Sequence, residues 1–176
     1  RRNAEKWHID SSKIAVMGYS AGGHLAGTVG TLWNSPLVRE TLQIPSGEDR
    51  PDGMILGYPV ITSGAYTHED SIKFLLGEDR YQDEKEREKV SVEKLVNHDT
   101  PKAFLWHTFE DDLVPVENTL KMADALRKAG VLFEMHIYPH GPHGLAICDE
   151  TTVDVKENLN PYAAYVSSWV EHCIRW

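Results

Sequence analysis

Apolar and polar positions fall into two kinds of block along this chain. Short, uninterrupted apolar runs bounded by turn residues occur at 13–17, 54–58, 103–106 and within 131–138. They are too short for helices and lack the alternation of a half-exposed strand. They read as strands buried on both faces, as in a parallel sheet. Between them lie longer blocks with apolar positions three and four apart. Residues 21–32 read as a helix, and residues 116–129 as an amphipathic one, with Leu120, Ala123, Leu126 and Ala129 on one face and Gly130 as its stop. Residues 1–7 look like the last turns of a helix, and 161–176 like a closing helix with Pro161 in its first turn. Residues 33–52, with Pro36, Pro45, Gly47 and Pro51, read as loop. The stretch 62–100 is irregular and charged, with helical pieces at 71–76 and 82–89. The Glu/Lys/Arg run of the second piece reads as a solvated face held by pairs four residues apart.

The order is strand, helix, strand, insert, strand, helix, strand, helix. That alternation predicts an α/β fold, a mostly parallel sheet covered by helices on both faces. The 176 residues suit one domain, with 62–100 as a cap-like insert. The net charge of −9 argues against a nucleic-acid partner, which would call for a basic patch. No run approaches the ~20 apolar residues of a membrane span. Cys148 and Cys173 fit no metal or redox spacing and read as free thiols. The histidines show no metal-ligand spacing, so neither metal nor cofactor is expected. No leader segment is visible in a chain that opens at Arg1, and the compartment stays open with the cytoplasm as default.

The strongest chemical signal is Gly18, Tyr19, Ser20, Ala21, Gly22, a G-x-S-x-G between a buried strand and a helix. In that context the serine sits on a sharp, strained turn that exposes its hydroxyl above the sheet, and the small neighbours let strand and helix approach. The helix N-terminus brings a positive dipole end toward a developing oxyanion, with the Ala21 N–H as first donor. A serine nucleophile needs a base, and the base needs an acid to orient it, in the chain order Ser, Asp or Glu, His. Both should follow later strands, at the sheet end where the serine sits. After the strand at 103–106 comes a loop with Glu110, Asp111 and Asp112; Asp111, three before Val114, has the spacing seen in many such hydrolases and is favoured over its neighbours. After 131–138 come His140 and His143; His143, between Pro142 and Gly144, is favoured as base. His140 is its rival, while His24, His107 and His136 read as packing or hydrogen-bonding residues.

Five ordered blocks together resemble one family: Gly18 to His24, Gly57 to Ile61, Phe104 to Thr108, Val114 to Asn118, and Gly141 to Gly144. They resemble the esterase/lipase branch of the α/β-hydrolases that includes acetyl-xylan-type carbohydrate esterases and short-chain acetylesterases. The resemblance implies Ser20, Asp111 and His143 as a triad and Ala21 in the oxyanion hole. The reaction it implies is hydrolysis of a small acyl ester, such as acetyl on a sugar. Alternatives are a prolyl-oligopeptidase-like peptidase and a non-catalytic or inactive module of the same fold. One departure stands out. Relatives carry strands before the nucleophile strand and an H-G-G-G-like loop giving the second oxyanion N–H, and nothing like these is present. A full domain of this type runs to roughly 200–250 residues, so about 100 upstream residues are expected to be absent. The chain then reads as the C-terminal part of a single α/β-hydrolase domain, completed by its N-terminal half as a separate chain, associated with copies of itself, or simply part of a longer one. The strand at 13–17 would be left as an apolar, unpaired edge.

Overall fold

Each of the four apolar runs forms a strand, and the strands pair in parallel in the order in which they occur. The computed structural model describes residues 1–45, 47–149, 151–152 and 163–176. The chain runs α1 (Ala4–Trp7), β1 (Ala15–Tyr19), α2 (Ser20–Leu32), α3 (Pro36–Leu42), β2 (Gly53–Gly57), α4 (Glu69–Leu76) and α5 (Glu78–Tyr81). It continues through α6 (Glu84–Lys89), α7 (Val92–Leu95), β3 (Lys102–Thr108), α8 (Glu117–Lys128), β4 (Phe133–Tyr138), α9 (Ala163–Val166) and α10 (Ser168–Arg175). The sheet order is β1-β2-β3-β4. Tyr19 lies beside Gly57 and Gly57 beside Trp106, while Thr108 lies beside Tyr138. The loops that follow β1, β3 and β4 therefore leave the sheet at one end, which is the condition for their side chains to meet.

Side chains alternate across the inner strands, and both faces are covered. Met54, Leu56, Ala103 and Leu105 pack on one face with Ala26 of α2, Val92 of α7, and Met122, Ala123 and Leu126 of α8. Phe104 and Trp106 pack on the other with Tyr58, Tyr138, Ala163, Val166 and Trp169. Complete burial of side chains such as Met54, Leu56 and Phe104 stabilises by about 1.5–3 kcal/mol each.

Several details depart from the reading of the sequence. The strand expected at 13–17 lies two residues later and is not buried on both faces: Ala15 is exposed and Met17 is 48% exposed. It is also, as expected, the edge of the sheet, where one flank has no neighbouring strand among the described residues. The stretch 33–52 contains a helix, α3, because Ser35 accepts a hydrogen bond from the Val38 N–H and Pro36 occupies the first turn. There proline starts a helix rather than breaking one. In α8 the inward stripe is Thr119, Met122, Ala123 and Leu126, spaced three, four and seven, whereas Leu120 is 44% exposed. Gly130, at φ 73°, ends α8 as expected, with Val131 N–H bonded to the Leu126 carbonyl and Gly130 N–H to that of Arg127. The solvated piece at 82–89 forms α6, too short for a ladder of pairs four apart; Lys89 pairs with Glu86 and Lys94 with Glu88. Pro161 and the start of the closing helix lie outside the described residues, and the rest of that segment forms α9 and α10.

Asn118, at the start of α8, fastens the β2 exit to the loop after β3. It is fully buried, and its side chain makes four hydrogen bonds. Its Oδ1 accepts from the Ile61 N–H at 2.9 Å and the Thr62 N–H at 3.0 Å. Its Nδ2 donates to the carbonyls of Tyr66 at 2.8 Å and Pro115 at 3.0 Å. A carboxylate of the same shape cannot donate. Asn118→Asp is thus expected to leave two carbonyls facing an anion and to lower stability by about 3 kcal/mol, read as a drop in the urea midpoint. A midpoint equal to that of the unaltered chain would remove Asn118 as a fastener.

Candidate active site

β1 hands over to α2 without a spacer, so Ser20 is both the turn and the first helical residue. Its φ of 53° lies in the left-handed region, a conformation that costs of order 1–3 kcal/mol for a residue with a Cβ. Local packing holds it there. The Val60 N–H donates to the Ser20 carbonyl at 3.0 Å, and a Cβ at Gly23 would sit 2.6 Å from Pro59 Cβ, so helix and β2 exit are in direct backbone contact. The N–H groups of the first helical turn, Ala21 among them, have no partner within the helix.

The structure brings Ser20, Asp111 and His143 into one hydrogen-bonded line. His143 Nε2 is 2.8 Å from Ser20 Oγ, and His143 Nδ1 is 2.6 Å from Asp111 Oδ2. Chemistry fixes the tautomer. An ionised Asp111 only accepts, so Nδ1–H donates to it and Nε2 is left to accept from the serine hydroxyl. The Asp111 side chain has no solvent exposure. Its Oδ1 accepts from the N–H groups of Val114 at 2.9 Å and Leu113 at 3.1 Å. Burial by itself would raise its pKa, but the hydrogen bonds from His107, His143 and Val114 outweigh it and hold the carboxyl well below the usual carboxylate range.

That depression carries a sign for stability. The folded chain resists protonating Asp111 more than the unfolded chain does. Its contribution is complete above the unfolded value near 3.8 and is lost as the pH falls below it. In urea titrations between about pH 5 and pH 3, the unaltered chain is expected to lose more stability than Asp111→Asn, whose side chain does not titrate. Parallel losses would remove Asp111 as the source of the effect.

The neighbouring candidates take other places. Asp112 is exposed. Glu110 receives a bond from His140 Nδ1 at 2.8 Å and from the Gly141 N–H at 3.3 Å, which ties the acid loop to the His143 loop. Thr108 Oγ1 adds a 2.8 Å bond to the Gly141 carbonyl. His24 Nε2 donates to the Val90 carbonyl at 2.8 Å and joins α2 to the segment between α6 and α7. His136 sits in β4 beside Glu134.

His107, read from the sequence as a packing or hydrogen-bonding histidine, and Tyr58 support the site beside the three candidate residues. His107 is fully buried; its Nε2–H donates to the Val114 carbonyl at 2.8 Å and lies 3.3 Å from Asp111 Oδ2. Its Nδ1 therefore accepts from Thr119 Oγ1, at 2.8 Å. The pair braces the acid from below. Tyr58 packs edge-on against the His143 ring, centroids 4.8 Å apart, while its hydroxyl accepts from the Ala146 N–H at 2.9 Å. An apolar cleft of about 440 Å³ opens at Ala21 and runs between α2 and the α4–α7 stretch, lined by Leu25, Ile72, Leu75 and Val90.

The BD-FAE family model matches residues 1–126 of the chain. Over 150 residues the chain is 41% identical to endo-1,4-beta-xylanase B of Butyrivibrio fibrisolvens, a match that covers 85% of this chain and 23% of that protein. Over 147 residues it is 36% identical to the acetylxylan esterase of Xylanibacter ruminicola, covering 82% of this chain and 28% of that one. The crystal structure of an acetyl ester-xyloside bifunctional hydrolase from Caldicellulosiruptor lactoaceticus superposes with a TM-score of 0.78 at 40% identity, over 99% of this chain and 59% of that one. The chain thus spans about a quarter of the length of those two curated relatives and about three fifths of the solved structure. Among the described residues, no helix is long and apolar enough to cross a membrane.

Proposed function

Because this chain belongs to the BD-FAE family and has the α/β-hydrolase fold, we propose that it is the triad-bearing part of a serine carboxylesterase acting on small acyl esters of carbohydrates. One observation carries the reading: a serine held in a left-handed turn, within 2.8 Å of a histidine whose other nitrogen is 2.6 Å from a buried carboxylate. His143 takes the Ser20 proton as the hydroxyl attacks the ester carbonyl, and Asp111 stabilises the imidazolium that forms. The Ala21 N–H, at the positive end of α2, receives the oxyanion. His143 then protonates the leaving alcohol and activates the water that frees the acid from the acyl-serine. A second oxyanion donor is assigned to residues outside this span, in line with the greater length of the solved relative. Lacking one such donor typically costs ~10²–10³ in rate, and adding the remaining part of the domain is expected to restore it.

The names of the relatives favour acetyl groups on xylan-type sugars. The cleft beside Ala21, shaped by the insert, is the place assigned to the acyl group or the alcohol. The test is hydrolysis of p-nitrophenyl acetate, p-nitrophenyl octanoate and acetylated xylan by the chain within its full domain, set against a proline anilide. Acetate and acetylated xylan are expected to be cleaved fastest. Anilide cleavage at a comparable rate would move the assignment to a peptidase, and failure of a fluorophosphonate to label Ser20 would leave a non-catalytic module.

A further inference from the structure

Away from the triad, β4 and α10 bring three metal-binding side chains together. Glu134 and His136 are two apart on β4, so they leave the strand on the same face. His172 reaches that face from α10 and stacks on His136, with ring centroids 4.5 Å apart and an interplanar angle of 17°. His136 Nε2 lies 2.7 Å from Glu134 Oε1, and one ligand atom from each of the three residues lies within 4.8 Å of the others. β4 is an edge of the sheet, and the side chains of His136 and Glu134 are 25% and 42% exposed, so an ion can enter from solvent.

We propose that Glu134, His136 and His172 form a binding site for a divalent transition metal, with zinc as the best chemical match. Two imidazoles and one carboxylate suit zinc, whereas calcium and magnesium take all-oxygen shells. Bonds of about 2.0–2.1 Å in tetrahedral geometry place ligand atoms roughly 3.3 Å apart. The His136–Glu134 pair opens slightly to reach that spacing, and the His172 ring turns out of its stack on His136 so that both imidazole lone pairs point at one ion. Three protein ligands leave the fourth corner to water. The site is a staple rather than a second catalytic centre. It ties α10 to the sheet edge, and α10 carries Trp169, which stacks on Trp106 at 5.1 Å beneath the Tyr58 ring that braces His143.

The experiment is calorimetric titration of the chain with zinc chloride, paired with thermal unfolding with and without zinc. One zinc per chain and a raised Tm are expected. His172→Gln and Glu134→Gln are each expected to weaken binding by about 100-fold or more, beyond the ~10–100-fold loss usual for an outer-shell partner. His140→Gln, at the Glu110 pair near the triad, is expected to leave zinc affinity unchanged. Absence of binding would overturn the proposal, as would binding that survives His172→Gln and Glu134→Gln. Should either variant fail to fold, cobalt(II) added to the unaltered chain decides the matter. An intense four-coordinate visible spectrum supports the site, and a weak six-coordinate one overturns it.

Discussion

Ser20→Ala is expected to lower ester hydrolysis by about 10⁶-fold, the scale of loss when the nucleophile of a serine triad is removed. His143 and Asp111 remain in place in that variant, but they have no hydroxyl to activate, and fluorophosphonate labelling disappears with the activity. The same position makes a second, structural prediction. Alanine keeps the Cβ that makes a φ of 53° unfavourable, whereas glycine does not. Ser20→Gly is therefore expected to be more stable than Ser20→Ala by about 1 kcal/mol, read from urea midpoints. The strain of the turn would then be separated from the chemistry it presents. Undiminished hydrolysis by Ser20→Ala would remove Ser20 as nucleophile. Equal stability of the two variants would mean that the turn stores no strain.

Gly18→Ala is expected to destabilise the chain by about 3 kcal/mol or more, at the upper end of what overpacking usually costs. A Cβ at Gly18 would lie 2.0 Å from the Gly22 carbonyl oxygen, 2.4 Å from the Gly22 carbonyl carbon and 2.8 Å from the Gly23 nitrogen. All three are backbone atoms of the first turn of α2, so no side chain can swing aside. The turn would have to open, and Ser20 would move with it. Gly22 is the opposite case. Nothing lies within 4 Å of a Cβ built there, and alanine in a helix is favoured over glycine by about 1 kcal/mol. Gly22→Ala is expected to match or exceed the stability of the unaltered chain. The two glycines of the G-x-S-x-G are thus unequal: the first is a steric necessity, and the close approach attributed to the second belongs to Gly23, packed on Pro59. Equal destabilisation by Gly18→Ala and Gly22→Ala would refute this account.

Much of the candidate site was legible in the sequence, because its signals are local. A strand that runs straight into a helix through Gly18, Ser20 and Gly22 can hardly be anything but an exposed turn. The loops with Asp111 and His143 could be placed because parallel strands release their loops at one end of the sheet. What local pattern misjudged was the environment of each element. Pro36 looked like a loop residue and proved to be the first turn of α3, since Ser35 caps it. Leu120 looked inward on a three-residue spacing, but 3.6 residues per turn place Thr119, Met122, Ala123 and Leu126 on the buried stripe. Met17 looked buried because its run is apolar, yet it is 48% exposed on β1, the strand already expected to form an unpaired edge.

The parallel α/β class, the serine turn and the chain order of the candidate Ser, Asp and His could be read from the amino acids alone, since each rests on residues adjacent in the chain or on a rule of strand direction. Which acid meets the imidazole was settled by packing in three dimensions. Glu110, Asp111 and Asp112 are consecutive and chemically similar, and the fold turns one toward His143, one toward His140 and one toward solvent. It also decided that His107 and Thr119 brace that acid, and that His172 comes to rest on His136. The physical reason is shared by all these cases. A hydrogen bond or a ligand set needs ångström-scale distances between atoms set by packing across several elements, and spacing along the chain does not encode them.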